Sequence, residues 1–257
     1  MKRLIGLLGI WLACSLALPA AAQEAADDPW QQANTAYING DYRGAAELYE
    51  QLVAQGYVSD RLFYNLGNAY FKGGELGEAI LNYNKALKLR PYDRDIAYNL
   101  AVANSRVKDK IDVVPEFFLS RWIQAWRSSL DSNAWAVLSL VLLALMLGGL
   151  LLFLLADRTG WRRTGFFAGV CFGVFFAVTV VFAAVERHEQ TDASEAIVLA
   201  QAASVKSAPE ADGSDIFLIH EGTKVTILSE YDGWTEIMIA DGNKGWVTSE
   251  TIAAIAY

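Results

Sequence analysis

The chain is predicted to be multidomain: an all-α repeat solenoid, a two-helix transmembrane hairpin and a small all-β barrel. Three observations carry this. The N-terminal third repeats itself at a fixed helical period. The middle holds two uncharged apolar stretches, each long enough to cross a bilayer. The last sixty residues change to short β-rich runs separated by turn signals.

The period is 34 residues. Ala33 pairs with Gly67, Asn34 with Asn68, Gly40 with Gly74, Ala45 with Ala79 and Tyr49 with Tyr83. A partial third copy keeps the register, with Tyr64-Asn65-Leu66 recurring as Tyr98-Asn99-Leu100 and Ala69 as Ala103. This spacing resembles the tetratricopeptide repeat (TPR), a helix-turn-helix unit that cannot bury its apolar face alone. In the second copy, Phe63 to Pro91, small Gly67 and Ala79 let two helices approach while Leu66, Tyr70, Ile80, Tyr83 and Leu87 fill the space. Gly73-Gly74 makes the turn, and Lys88, Arg90 and Pro91 end the second helix. The third copy supplies one helix, roughly Arg94 to Lys108. The repeat domain is placed at 28–110, near the minimum size for a stable solenoid, so help from a partner or the membrane is expected.

The resemblance to TPRs implies a concave groove for another protein. Its positions would be Asn34, Tyr37, Arg61, Tyr64, Asn68, Phe71, Lys72 and Tyr98. Independently, Arg61, Tyr64, Asn68, Phe71 and Lys72 follow three- and four-residue steps along one helix. Aromatic faces, amides and two cations suit an extended peptide with acidic side chains or terminus. The alternative for Arg61 and Lys72 is ordinary solvated charge.

Residues 1–22 read as a secretory signal peptide: Lys2 and Arg3, an apolar run from Leu4 to Leu18, and a small-x-small site at Ala20 and Ala22. Leu12-Ala13-Cys14 only partly fits a lipoprotein site, because Trp11 stands where leucine is wanted. The two cysteines are Cys14 and Cys171, so neither an intrachain disulfide in the processed chain nor a Cys/His metal site is expected.

Before the apolar stretches, residues 114–130 are read as an amphipathic helix. Phe118, Trp122 and Trp126 recur every four residues, with Arg121, Gln124 and Arg127 on the polar side. This suits a helix lying in the bilayer interface, arginines near phosphates, or a last helix closing the repeats. The spans are placed at 134–156 and 165–185, joined by a loop at 157–164. That loop carries Arg158, Arg162 and Arg163, which the positive-inside rule assigns to the cytoplasm. Signal peptide and two spans together put both soluble domains outside, in the periplasm of an inner-membrane protein. Gly165, Gly169, Gly173 and Ala177 form a ridge of small residues for close helix packing, against the first span or against another protein.

A linker at 186–194 leads to the domain at 195–257. Its turn signals are Asp212-Gly213, Glu221-Gly222, Asp232-Gly233 and Asp241-Gly242. SVKSAP, HEGTKVTIL, DGWTEI and DGNKGWV resemble the bacterial SH3-like (SH3b) domain. Trp234 and Trp246 would be core or groove aromatics; domains of this kind bind cell-wall peptides or proteins, or simply pack.

In this order the modules resemble the BatE-type proteins of bacterial aerotolerance operons. YNLGNAYFKGGELGEAI, PEFFLSRW, SVKSAP and HEGTKV carry that resemblance most specifically. It implies partners among von Willebrand A-domain membrane proteins and a MoxR-type ATPase, and a part in oxidative-stress tolerance. The composition, 21 basic against 29 acidic side chains and a net charge of -8, argues against nucleic acid. No phosphate loop, nucleophile elbow or HExxH motif occurs, and neither enzyme activity nor a cofactor or metal is expected. His188 and His220 are expected to be solvated surface residues. A protein scaffold is thus the first reading, and a peptidoglycan-binding module acting through the SH3b tail is the alternative.

Overall fold

The computed structural model describes residues 28–111 and 117–257. The signal peptide with Cys14, and Val114-Pro115-Glu116, lie outside them.

Five helices open the fold: α1 Pro29–Ile38, α2 Tyr42–Ala54, α3 Asp60–Gly73, α4 Leu76–Leu89 and α5 Arg94–Arg106. Side-chain caps start four of them, with Asp28, Asp41, Ser59 and Asp93 accepting from backbone N–H groups of the first turn. Gly74, at φ 91°, closes α3 in the left-handed conformation that glycine tolerates. The packing repeats as the sequence does. A Cβ on Gly67 would sit 2.8 Å from the Tyr83 ring, so this crossing requires glycine. The hydroxyl of Tyr49 donates to Asn34 Oδ1 at 2.7 Å, and that of Tyr83 to Asn68 Oδ1 at 2.8 Å.

Helix α6, Phe118–Arg127, is shorter than the 114–130 read from sequence. It does not close the repeats, since none of its residues enters their core. Two long apolar helices follow, α7 Ser132–Leu155 and α8 Thr159–Thr191, each able by length and composition to cross a membrane. The loop expected at 157–164 is reduced to three residues, because α8 begins at Thr159. Arginine and tryptophan are compatible with helix, and a change of polarity does not by itself end one. For the same reason α8 runs on to Thr191, through most of the expected linker at 186–194. Its 33 residues span about 50 Å, well beyond ~30 Å of hydrocarbon.

Helices α7 and α8 pack through glycine. A Cβ on Gly165 would meet Phe153 N at 2.6 Å, and one on Gly149 would meet Gly169 N at 2.8 Å. Gly169 is looser, at 3.6 Å from Leu150 N, and Gly173 faces Met146. The ridge thus seats on the same chain. Ala177 does not continue it: it is exposed, and Thr179 and Ser139 are buried nearer the other end.

The C-terminal domain has strands β1 Glu195–Val198, β2 Ala202–Lys206, β3 Asp215–His220, β4 Lys224–Tyr231, β5 Trp234–Met238, β6 Lys244–Thr248 and β7 Ile252–Ala254. They form an antiparallel sheet in the order β3-β2-β6-β5-β4-β1-β7. Its core is aliphatic: Val198, Val205, Ile219, Val225, Ile237 and Val247. Trp234 and Trp246 are not in that core. Burial alternates along β5 and β6, so both rings stand on the outer face, partly exposed.

Candidate functional site: the repeat groove and the clasp behind it

A cavity of about 280 Å³ is lined by Tyr37, Tyr64, Asn68, Phe71, Lys72, Tyr83, Asn99 and Val102. It brings together five of the eight positions read from sequence. Asn34, Arg61 and Tyr98 are not among its walls. Asn34 is tied to Tyr49. Arg61 is exposed and makes no ion pair or hydrogen bond among the described residues. Tyr98, the copy of Tyr64, is 69% exposed. The difference has a simple cause. Tyr64 is half covered because α5 follows it and Asn99 Nδ2 donates to its hydroxyl at 3.0 Å. Among the described residues no further repeat helix packs on Tyr98.

Asn68 is more constrained than its spacing suggested. Its Oδ1 accepts from both Tyr83 Oη and Asn99 Nδ2, the latter at 2.9 Å. Only its Nδ2 remains for a ligand. Burial raises the Tyr37 and Tyr83 hydroxyls above their usual pKa, keeping them neutral donors at ordinary pH. The groove's positive charge comes from Lys72 and from Arg106, whose guanidinium stacks 4.3 Å from the Phe71 ring. Sequence reasoning missed Asn99, Val102 and Arg106. The first two sit in the third copy at the register of Asn65 and Asn68, so the period itself could have found them.

The opposite side of the repeats is occupied by the SH3-like sheet, and the whole β3–β4 turn makes the contact. His220 donates its backbone N–H to Asp109 Oδ2 at 2.7 Å, and its ring Nδ1 lies 2.7 Å from Asp109 Oδ1. Thr223 Oγ1 donates to Asp109 Oδ2 at 2.7 Å. Burial alone would raise the Asp109 pKa, but the bonds from Thr223 and His220 outweigh it and hold the carboxyl below its ordinary value. Glu221 Oε1 accepts from Gly77 N at 2.7 Å. Helix α4 has no side-chain cap of its own at Glu75, so Glu221 caps it from another domain. Gly222, at φ 84°, lies so close that a Cβ would meet Ile80 Cδ1 at 2.8 Å and Val107 Cγ2 at 2.9 Å. Behind the turn, Ile197 of β1 and Ile255, just past β7, share one buried cluster with Ile80, Ile96, Ala103 and Val107. His220 is therefore a clasp residue and not a solvated one; His188 is exposed.

A second junction holds α6 to the C-terminal end of α8. Arg127 Nη2 lies 2.7 Å from Glu189 Oε1 and Nη1 lies 3.1 Å from Glu186 Oε1. Trp135 Nε1 donates to Arg127 O at 2.8 Å. Arg127 is thus committed to carboxylates and not to phosphates, as the sequence reading had it. A cavity of about 840 Å³ between α4, α6, α8 and the sheet is lined by Arg127, Glu186 and Glu189 with Lys88, Tyr92 and Asp192.

Comparison with known proteins agrees with this division. Residues 31–104 match the tetratricopeptide repeat family model, and residues 201–253 match the bacterial SH3 domain model. Over 70 residues, 27% of this chain, the sequence is 34% identical to "Protein SGT1 homolog" of Oryza sativa subsp. japonica. The chain spans about a fifth of that relative's length, 19%. The chain therefore carries a TPR-like helical region, two apolar helices that could span a membrane, and a C-terminal antiparallel sheet of the bacterial SH3 type. Both matched domains are interaction modules without catalytic machinery.

Proposed function

We propose that the protein is a non-enzymatic scaffold, anchored in the bacterial inner membrane by α7 and α8, that holds a partner protein in the TPR groove. The carrying observation is the asymmetry of the repeat region. Its back is clasped by the SH3 domain, while the groove of Tyr37, Tyr64, Asn68, Phe71 and Lys72 stays open. The ligand is an extended acidic peptide, since Lys72 and Arg106 flank aromatic faces and a free amide donor.

The resemblance to BatE-type proteins names the partners: von Willebrand A-domain membrane proteins, in a complex serving oxidative-stress tolerance. The clasp supports the topology, because Asp109 and His220 can meet only if the domains before α7 and after α8 lie on one side of the bilayer. The arginines between the spans make that side the periplasm. The exposed Phe118, Trp122 and Trp126 of α6 rest in the interface beside it.

A photo-crosslinking residue in place of Lys72 should capture a von Willebrand A-domain protein in intact cells, and one in place of Arg43 on α2 should not. Adding Arg106→Glu to the first should remove the capture. Equal capture from both positions would sink the groove reading. A second reading, peptidoglycan binding, draws on Trp234 and Trp246 standing on the outer face of the sheet. The separated SH3 domain pulling down with purified sacculi, lost on Trp246→Ala, would favour it.

A further inference from the structure

We propose that the tip of the apolar hairpin binds an anionic phospholipid, with its phosphate between Arg162 and Arg163 and an acyl chain along Phe153, Phe166 and Phe167. A cavity of about 530 Å³ opens there, lined by Phe153, Thr159, Arg162, Arg163, Phe166 and Phe167. Thr159, Arg162, Arg163 and Phe166 stand at helical steps of three and four, so one face of α8 presents cations and then rings. Phe153 comes from α7, its ring centroid 5.7 Å from that of Phe166.

Arg162 is held in place without being neutralised. Its Nε donates to Phe153 O at 3.3 Å, and its guanidinium lies 5.6 Å from the Phe153 ring. Its Nη groups make no hydrogen bond among the described residues. None of Arg158, Arg162 and Arg163 is in an ion pair there, although Asp157 adjoins Arg158 in sequence. The first turn of α8 also lacks a side-chain cap. Unpaired guanidinium forks match phosphate oxygens. The rings beside them are open, Phe166 at 49% and Phe167 at 68% exposure. A free phosphate would use the arginines and leave the rings wet. A bilayer phospholipid supplies both chemistries, at the depth where an apolar hairpin ends.

The proposal rests on the membrane reading of α7 and α8, which is read out separately by whether the full chain partitions with detergent micelles. In the test, the purified full chain in neutral detergent is mixed with equal amounts of phosphatidylglycerol and phosphatidylcholine and examined by native mass spectrometry. One phosphatidylglycerol should be retained per chain, at least tenfold over phosphatidylcholine. Arg162→Gln with Arg163→Gln should abolish the preference, and Arg162→Lys with Arg163→Lys should keep most of it. Lys224→Gln with Lys244→Gln, in the distant sheet, should change nothing. Phe167→Ala should weaken retention severalfold while helix content is unchanged. Equal retention of both lipids by a micelle-bound chain would overturn the lipid site and leave the membrane reading standing. Displacement of the lipid by millimolar inorganic phosphate with no effect of Phe167→Ala would overturn it in favour of a bare phosphate site.

Discussion

Asn68 shows what one residue can do that a repeat alignment does not reveal. The 34-residue period marks it as a groove position, and it lines the cavity. The same side chain also receives the buried Tyr83 hydroxyl. Spacing could not show this, because the bond crosses to the second helix of the unit. Asn68→Ala is therefore expected to cost about 1–3 kcal/mol of repeat stability as well as ligand affinity, readable as a lower midpoint in chemical denaturation. Lys72→Glu is the cleaner probe: exposed and unpaired among the described residues, it should leave the midpoint within about 0.5 kcal/mol. Gly67 behaves oppositely. Its small size was legible from pairing with Ala33, and Gly67→Ala should destabilise by about 1–3 kcal/mol by driving a methyl into Tyr83. Trp234 and Trp246 were less legible. Aromatic residues in a small β domain read equally as core or as groove, because alternation along the strand decides the face, and a one-residue phase error moves a ring from one to the other.

At the scale of elements, the helices were readable wherever caps and turns punctuate them, and unreadable where charge alone suggested a boundary. Hence α8 begins inside the expected loop, at Thr159, and runs through most of the expected linker, to Thr191. The glycine ridge is unequal along its length. Gly165→Leu should disrupt the α7–α8 contact more than Gly169→Leu, since backbone stands 2.6 Å from the Gly165 Cβ position and 3.6 Å from that of Gly169. Cysteine-accessibility along α7 in the two variants would rank them. Helix α4 offers a second test. Its N-terminus depends on Glu221, so Glu221→Ala should cost about 0.5–2 kcal/mol and fray the first turn of α4, although the substitution lies in another domain.

The whole molecule is one clasped unit in which the SH3 domain completes a two-and-a-half-repeat solenoid. The short repeat array did signal a need for outside support. The sequence reading sought it in a partner or the membrane, because nothing local in HEGT announces a contact more than a hundred residues away. Each residue of that turn looks like ordinary hairpin chemistry, and only the fold shows Asp109 receiving it. The clasp should depend on acid. The folded pKa of Asp109 lies below its unfolded value of about 3.9, so its contribution is fully present above that value. It is lost as pH falls through the folded pKa. Docking should therefore hold at neutral pH and loosen below about pH 4, seen as rising exposure of the buried Ile80–Ile197 contact to a hydrophobic dye.

The most direct measurement of the clasp is amide exchange at Gly77 by NMR, in the full chain held in nanodiscs. Gly77 lies in the first turn of α4, where backbone N–H groups have no intrahelical acceptor. Its bond to Glu221 is the protection the structure gives it. Exchange at Gly77 should be slow in the native chain and fast in Asp109→Ala, a residue on the far side of the turn that does not bond Gly77. Fast exchange at Gly77 in the native chain, or unchanged protection in Asp109→Ala, would rule the clasp out.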